Sequence, residues 1–175
     1  LDHYSDLIGD GHDIVSIHVS GKLSQTVNSA EIAKAKIEGS KSSITVIDSN
    51  QCSAGLGLIA IAAAKAVKSG ATLDQTIAVA EATAKKIQIF ITLDTLEYLQ
   101  KGGRIGKAQA LLGSLLQMKP ILTLLDGEIR PLEKTRTRAK AIQRMYSLAE
   151  EQQPFVSAAV IHSASENAAL DLEKH

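Results

Sequence analysis

The sequence predicts an α/β fold in which a parallel, doubly wound portion precedes a mixed α+β portion. Three observations predict it. Two β-branched runs, Asp13 to Val19 and Ser43 to Ile47, are each followed by a loop and a helical stretch, the mark of repeated βα units. Beyond Ile87 this alternation ends, and Asp126-Gly127 joins two extended runs as an antiparallel hairpin. At 175 residues and 45% hydrophobic, the chain can bury the core such a fold needs.

The elements follow in order. DIVSIHV, Asp13 to Val19, reads as a strand; Ser20 and Gly21 leave it, and Ser24 is placed to cap a helix from Gln25 to Glu38. SITVI is a second strand, closed by Asp48-Ser49-Asn50, and Ser53 to Lys68 then reads as an apolar helix ending at Gly70. Thr72 opens another helix, with Asp74 and Gln75 in its first turn and Ile77, Ala80, Ala84 and Ile87 at helical spacing. IFITLDTLEYL is a strand entering a short helix that Gly102-Gly103 stops, and Lys107 to Leu116 is a helix of its own. After the hairpin of MKPILTLLDGEIRPLEK come an amphipathic helix, Arg136 to Glu150, a buried strand, Phe155 to Ile161, and a last helix from Ser165. The change in pattern divides the chain into a parallel lobe, 1–87, and a mixed lobe, 88–175, with the strand and helix of 155–175 free to return to the first. No Pro/Ser/Gly-rich linker, repeat or low-complexity tract marks the boundary.

Composition narrows the function. Lys plus Arg (19) equals Asp plus Glu (19), so no global field draws nucleic acid or an anionic membrane, and any anion site is local. A single cysteine, Cys52, permits no internal disulfide and fits a reducing, cytoplasmic setting. The apolar run from Leu56 to Val67 is interrupted by Gly57 and Lys65 and falls short of the roughly 20 residues that span a bilayer. Leu1 to Gly11 lacks the basic and apolar regions of a signal peptide, and with no initiator methionine a preceding segment is expected.

Gly55-Leu-Gly57-Leu-Ile-Ala60 mimics a dinucleotide fingerprint, but its glycines fall inside a helix whose entry turn is already supplied by Asp48 to Gln51. Close helix packing through a missing Cβ is the better reading. The loop from Ser20 to Thr26 is more informative, because it lies between a strand's carboxyl end and a helix N-terminus, where hydroxyls and amide N–H groups converge on an anion. The plain alternative makes Ser24 a cap and Ser20 a turn residue. His162 follows a strand in the same manner, and His18 alternates with Ser16 and Ser20; capping or structural hydrogen bonds also explain both. His3, His12 and His175 read as surface residues. No residue group has metal-ligand spacing, and Cys52 has no local base, so neither metal nor thiol chemistry is expected. Two basic clusters, Lys101 to Lys107 and Lys134 to Lys140, complete the set. The second places cations at a helix start, where the dipole disfavours them by roughly 0.3–1 kcal/mol each and a partner such as Glu133 is called for.

SIHVSGKLSQTVNSA, ITVIDSNQCSAGLGLI, TLEYLQKGGRIGKAQALLGSLLQMKPIL and GEIRPLEKTRTRAKA, in that order, resemble the DegV family of bacterial fatty-acid-binding proteins over nearly the whole chain. The resemblance implies a two-lobed α/β carrier, not an enzyme, which needs no cofactor. It implies a long-chain fatty acid held between the lobes, its carboxylate presented to a separate kinase subunit that makes the acyl phosphate for phospholipid synthesis. By position, Ser20 matches the family serine that binds the carboxylate, with Gly21, Ser24 and Thr26 in the same motif, and His162 resembles the histidine that orients the acid. Gly21, Lys22 and Gln25 stand where the family pattern has its second serine and both glycines. Arg104 falls in the segment implicated in kinase docking, and Lys107 and Arg136 are grouped with it. Candidate acyl-chain walls are Leu56, Ile59, Ile91, Leu93, Leu112, Leu115 and Ile121, although such aliphatic stripes also serve as core. The family's N-terminal strand and Thr-Ser loop, and its C-terminal tail, have no counterpart, so the chain reads as lacking both ends.

Two alternatives stand beside the carrier. One is a dihydroxyacetone-kinase-like domain that binds a small ketone through His18 or His162. The other is an interaction module without a small ligand, docking a protein through its basic segments.

Overall fold

The computed structural model describes residues 1–37, 42–113 and 118–173. The chain divides into two units, Leu1–Ile87 and Gln88–His175. The first is α1 (Asp2–Gly9), β1 (Ile14–His18), α2 (Thr26–Ala35), β2 (Ile44–Asp48), α3 (Ser53–Lys68) and α4 (Leu73–Ala84). β1 and β2 pair in parallel, with Ile14 opposite Ile44 and His18 opposite Asp48. Alternation along the strands sends Val15, Ile17 and Ile47 to one face, where they meet Ile59 and Ala63 of α3 and Ala80 of α4. Fully burying one such isoleucine is worth roughly 1.5–3 kcal/mol, which fixes α3 and α4 against the sheet. Thr72 and Gln75 close a reciprocal cap on α4, the Thr72 hydroxyl accepting from the Gln75 amide at 3.3 Å and the Gln75 side chain from the Thr72 amide at 2.9 Å.

The second unit is β3 (Phe90–Thr92), α5 (Glu97–Lys101), a 3₁₀ turn (Gly106–Leu111), β4 (Lys119–Leu125), β5 (Glu128–Thr135), α6 (Arg138–Glu150) and α7 (Glu166–Glu173). Its sheet is antiparallel in the order β3-β4-β5. Asp126 and Gly127 take φ of 52° and 75°, the positive values that a two-residue hairpin turn requires. Ala141 and Leu148 of α6 close a core on Ile121, joined by Phe90 and Met145.

Several expectations change. α1 was not foreseen; it is short, and the Tyr4 hydroxyl ties it to Ser16 of β1 at 2.5 Å. Gln25, not Ser24, is the N-cap of α2, and the Ser24 hydroxyl instead accepts from the Thr26 amide at 3.3 Å. α2 ends at Ala35, and Glu38 lies outside the described residues. Of the helix expected from Lys107 to Leu116, the part up to Leu111 is 3₁₀ (Gly106–Leu111), and residues 114–117 lie outside the described residues. Phe155 to Ile161 forms no strand and is exposed throughout, Val156 at 103%. A strand is stabilised by an edge to pair with and a face to bury, and among the described residues this segment has neither.

Candidate functional site

Ligand sites in parallel α/β units form beyond the carboxyl ends of the strands. There β1 opens into the loop Val19–Gln25 and β2 into the loop Ser49–Cys52, and hydrogen bonds bind the two loops together. The Ser20 amide donates to the Gln51 carbonyl at 2.8 Å. The Gly21 amide donates to Asp48 Oδ2 at 3.1 Å. Ser49 returns to β1, its hydroxyl donating to the His18 carbonyl at 2.6 Å and its amide to the same oxygen at 3.1 Å.

Each loop is held by local turns. Ser20 is 0% exposed; its hydroxyl accepts from the Lys22 amide at 3.2 Å and its carbonyl from the amides of Leu23 and Ser24. Gly21 packs so closely that a Cβ there would lie 2.9 Å from Asp48 Oδ2 and 3.1 Å from Val27 Cγ1. That crowding gives a local reason for glycine at this position. In the second loop the Asn50 amide donates to Asp48 Oδ1 at 2.9 Å, and Asn50 and Ser53 both take positive φ, 51° and 52°. Asp48 therefore has both oxygens engaged by backbone N–H groups, although it remains solvent-exposed.

The second loop delivers the chain into α3, whose N-cap, Cys52, makes no side-chain cap hydrogen bond. The first amides of a helix have no intrahelical partner, and the positive end of the dipole lies there. α3 thus brings uncapped donors to the loop that is bonded to Ser20. The reading of Asp48 to Gln51 as a simple turn missed this contribution; a cysteine at the cap position, where Ser, Thr, Asp or Asn would seal the helix, was the available signal. Burial pushes the Cys52 thiol up, away from the reactive thiolate. Gln51 is buried, its amide nitrogen donating to the Ala84 carbonyl at 3.4 Å while Oε1 has no protein partner. Gly57 does not serve the close packing expected of it, because a Cβ there would meet nothing within 4 Å.

The other sequence-derived residues fall as follows. Ser24 is half-buried and Thr26 exposed, both beside the first loop. Leu56 is half-buried on α3, and Ile59 is wholly taken up in the core of the first unit. In the second unit Ile91, Leu93 and Leu112 are half-buried, Ile121 is core, and Leu115 lies outside the described residues, as does His175. His162 is exposed, and its Nδ1 accepts from the Ser165 amide at 3.4 Å, just ahead of α7. Arg104 and Lys107 are exposed near the 3₁₀ turn, Arg104 donating to the Gly102 carbonyl at 2.5 Å. Arg136 is exposed between β5 and α6.

The cation at the start of α6 has a different partner from the one expected. Arg138 pairs with Asp94 at 2.5 Å and donates to Ser165 Oγ at 2.8 Å. Glu133 instead receives a two-pronged bond from Arg144, at 2.9 and 2.8 Å. Arg138, with Lys119 beside it, holds the Asp94 carboxyl below its usual range, and Arg144 does the same for Glu133. Among the described residues no group of three or more His, Cys, Asp and Glu side chains is placed to hold a metal. No described helix is long and apolar enough to cross a membrane.

The family described as "Uncharacterised protein, DegV family" matches residues 1–175. Among curated relatives, a DegV domain-containing protein of Streptomyces coelicolor is 41% identical over 150 residues, covering 85% of this chain and 52% of that protein. Protein DegV of Bacillus subtilis is 37% identical over 170 residues, covering 94% and 60%. The chain spans between half and about three fifths of these relatives. Among solved structures, DegV of Bacillus subtilis, described as a fatty acid binding protein, superposes with a TM-score of 0.84 at 36% identity, over 99% of this chain and 62% of that one. A DegV family protein of Thermus thermophilus, described by its fatty acid binding, gives 0.84 at 29% identity over 99% and 63%.

Proposed function

The chain belongs to the DegV family, and from that membership we propose that it is a fatty-acid carrier whose carboxylate subsite is the pair of loops after β1 and β2. The observation that carries this reading is the Ser20–Gln51 hydrogen bond, which brings the hydroxyl-rich first loop alongside the uncapped start of α3. Uncharged donors suit the task. They stabilise a carboxylate that would otherwise cost several kcal/mol to desolvate, without holding it so firmly that transfer stops. Asp48 is compatible with an incoming anion because two backbone amides and solvent offset its charge.

In this proposal Ser20, Gly21, Ser24 and Thr26 form the head-group loop and His162 orients the acid. Leu56, Ile91, Leu93 and Leu112 supply alkyl contacts. A buried methylene contributes about 0.8 kcal/mol, so an acyl chain of about 16 carbons gains on the order of 10 kcal/mol before ordering costs. Arg104, Lys107 and Arg136 are exposed cations suited to docking a partner kinase that would phosphorylate the presented carboxylate, the chemistry being the kinase's. The single cysteine supports a cytoplasmic setting. The ketone-binding alternative is less favoured, since of its two candidate histidines His18 Nε2 is engaged by Ser16 Oγ at 2.8 Å and His162 Nδ1 accepts from the Ser165 amide at 3.4 Å. Calorimetric titration with oleate tests the carrier: saturable binding near one acid per chain is expected, and no heat beyond dilution would remove it.

A further inference from the structure

One polar chain on β1 has no part in the proposed head-group site. The Tyr4 hydroxyl of α1 donates to Ser16 Oγ at 2.5 Å, and Ser16 Oγ lies 2.8 Å from His18 Nε2. Residues two apart on a strand share a face, so Ser16 and His18 stand side by side, on the face opposite the Val15 and Ile17 that pack toward α3 and α4. With Tyr4 donating to one lone pair of Oγ, the hydrogen of Ser16 is available to His18 Nε2 in the tautomer that carries the ring proton on Nδ1. The distance is within the range over which an imidazole acts as general base toward a hydroxyl. Tyr4, Ser16 and His18 are all partly exposed.

A serine hydroxyl within hydrogen-bond reach of a histidine base is the pairing that converts an inert hydroxyl into a nucleophile, and here Tyr4 fixes the serine of that pair. We propose that Ser16 is a His18-activated nucleophile that accepts an acyl group from a carboxylic ester with a good leaving group. In this step Oγ forms a bond to the acyl carbon while its proton passes to His18 Nε2. The bond from that carbon to the leaving group then breaks, and the imidazolium returns the proton to the departing oxygen. The product is an acyl ester on Ser16 and a free alcohol or phenol, so atoms and charge balance without any oxidant. Tyr4 acts as a positioning residue, holding Ser16 in the rotamer that faces the imidazole. The inference does not depend on fatty-acid binding.

Incubating the 175-residue chain with p-nitrophenyl acetate, followed by intact mass and peptide mapping, tests it. Acetylation of Ser16 is expected at least tenfold faster than that of exposed Ser29, with at least a tenfold slowing at Ser16 in His18→Gln. Folding of the variant is checked by circular dichroism; should it fail to fold, His18→Ala with imidazole added is the second variant, and added imidazole is expected to restore labelling. Ser16 labelling no faster than Ser29 in the unaltered chain would overturn the proposal, as would an unchanged rate in folded His18→Gln.

Discussion

The amide of Ser20 donates to the carbonyl of Gln51 at 2.8 Å, and through this bond the loop after β1 is fixed to the entry of α3. Neighbouring parallel strands end side by side, so residues about thirty apart in sequence become one surface. Ser20 is buried, and its hydroxyl already accepts from the Lys22 amide. A substitution there acts on loop shape as well as on ligand contact.

Ser20→Ala is expected to weaken oleate binding by roughly five- to tenfold, the scale of one hydrogen bond of about 1–1.4 kcal/mol. Fluorescence displacement titrations of both proteins check it. Equal affinities would remove Ser20 from the subsite.

Gly21→Ala places a methyl group 2.9 Å from Asp48 Oδ2, against the bond that joins the loops. The exposed Asp48 carboxylate must swing aside and give up its bond from the Gly21 amide, at a cost of about 1 kcal/mol in folding stability. Urea denaturation monitored by circular dichroism measures the change, and oleate affinity is expected to fall with it.

Gly106 has φ of 53°, and a Cβ there would lie 2.5 Å from the Ile129 carbonyl oxygen. Backbone cannot yield as a flexible side chain can. Gly106→Ala is expected to destabilise the second unit by about 2 kcal/mol or more, read as a lower melting temperature.

Asp94 gives a pH signature. Its carboxyl is held low mainly by the hydrogen bond from Arg138 and next by Lys119, so the pair's contribution is present above the ordinary aspartate pKa, about 3.9, and is lost as pH falls through the lower folded value. Both partners are largely exposed, which limits the pair to roughly 0.2–1 kcal/mol. Arg138→Met should therefore lower the melting temperature at pH 7, and the gap from the unaltered chain should narrow toward pH 2 to what the pH-independent bond to Ser165 contributes. Melting curves across that range check the narrowing.

Much of this fold was legible because local signals agreed with tertiary packing. The helix from Ser53 to Lys68, the Thr72–Gln75 cap and the Asp126-Gly127 hairpin all rest on short-range chemistry that the folded chain keeps. Phe155 to Ile161 misled because β-branched and apolar content reports that a segment can pair, not that an edge is present for it. α1 escaped notice because the bond that ties it to β1, from the Tyr4 hydroxyl to a serine twelve residues on, leaves no local pattern in the sequence. At the candidate site Ser20 stood out by motif and position. The part played by Gln51 and the uncapped start of α3 did not, since adjacency across a parallel pair leaves no spacing in the sequence.

The most direct test of the account is mass spectrometry of lipid extracted from the natively purified protein, with uptake of added oleate and palmitate measured after delipidation. The account predicts a long-chain fatty acid near one per chain and its reacquisition after stripping. A protein that carries none and takes up neither acid would contradict it.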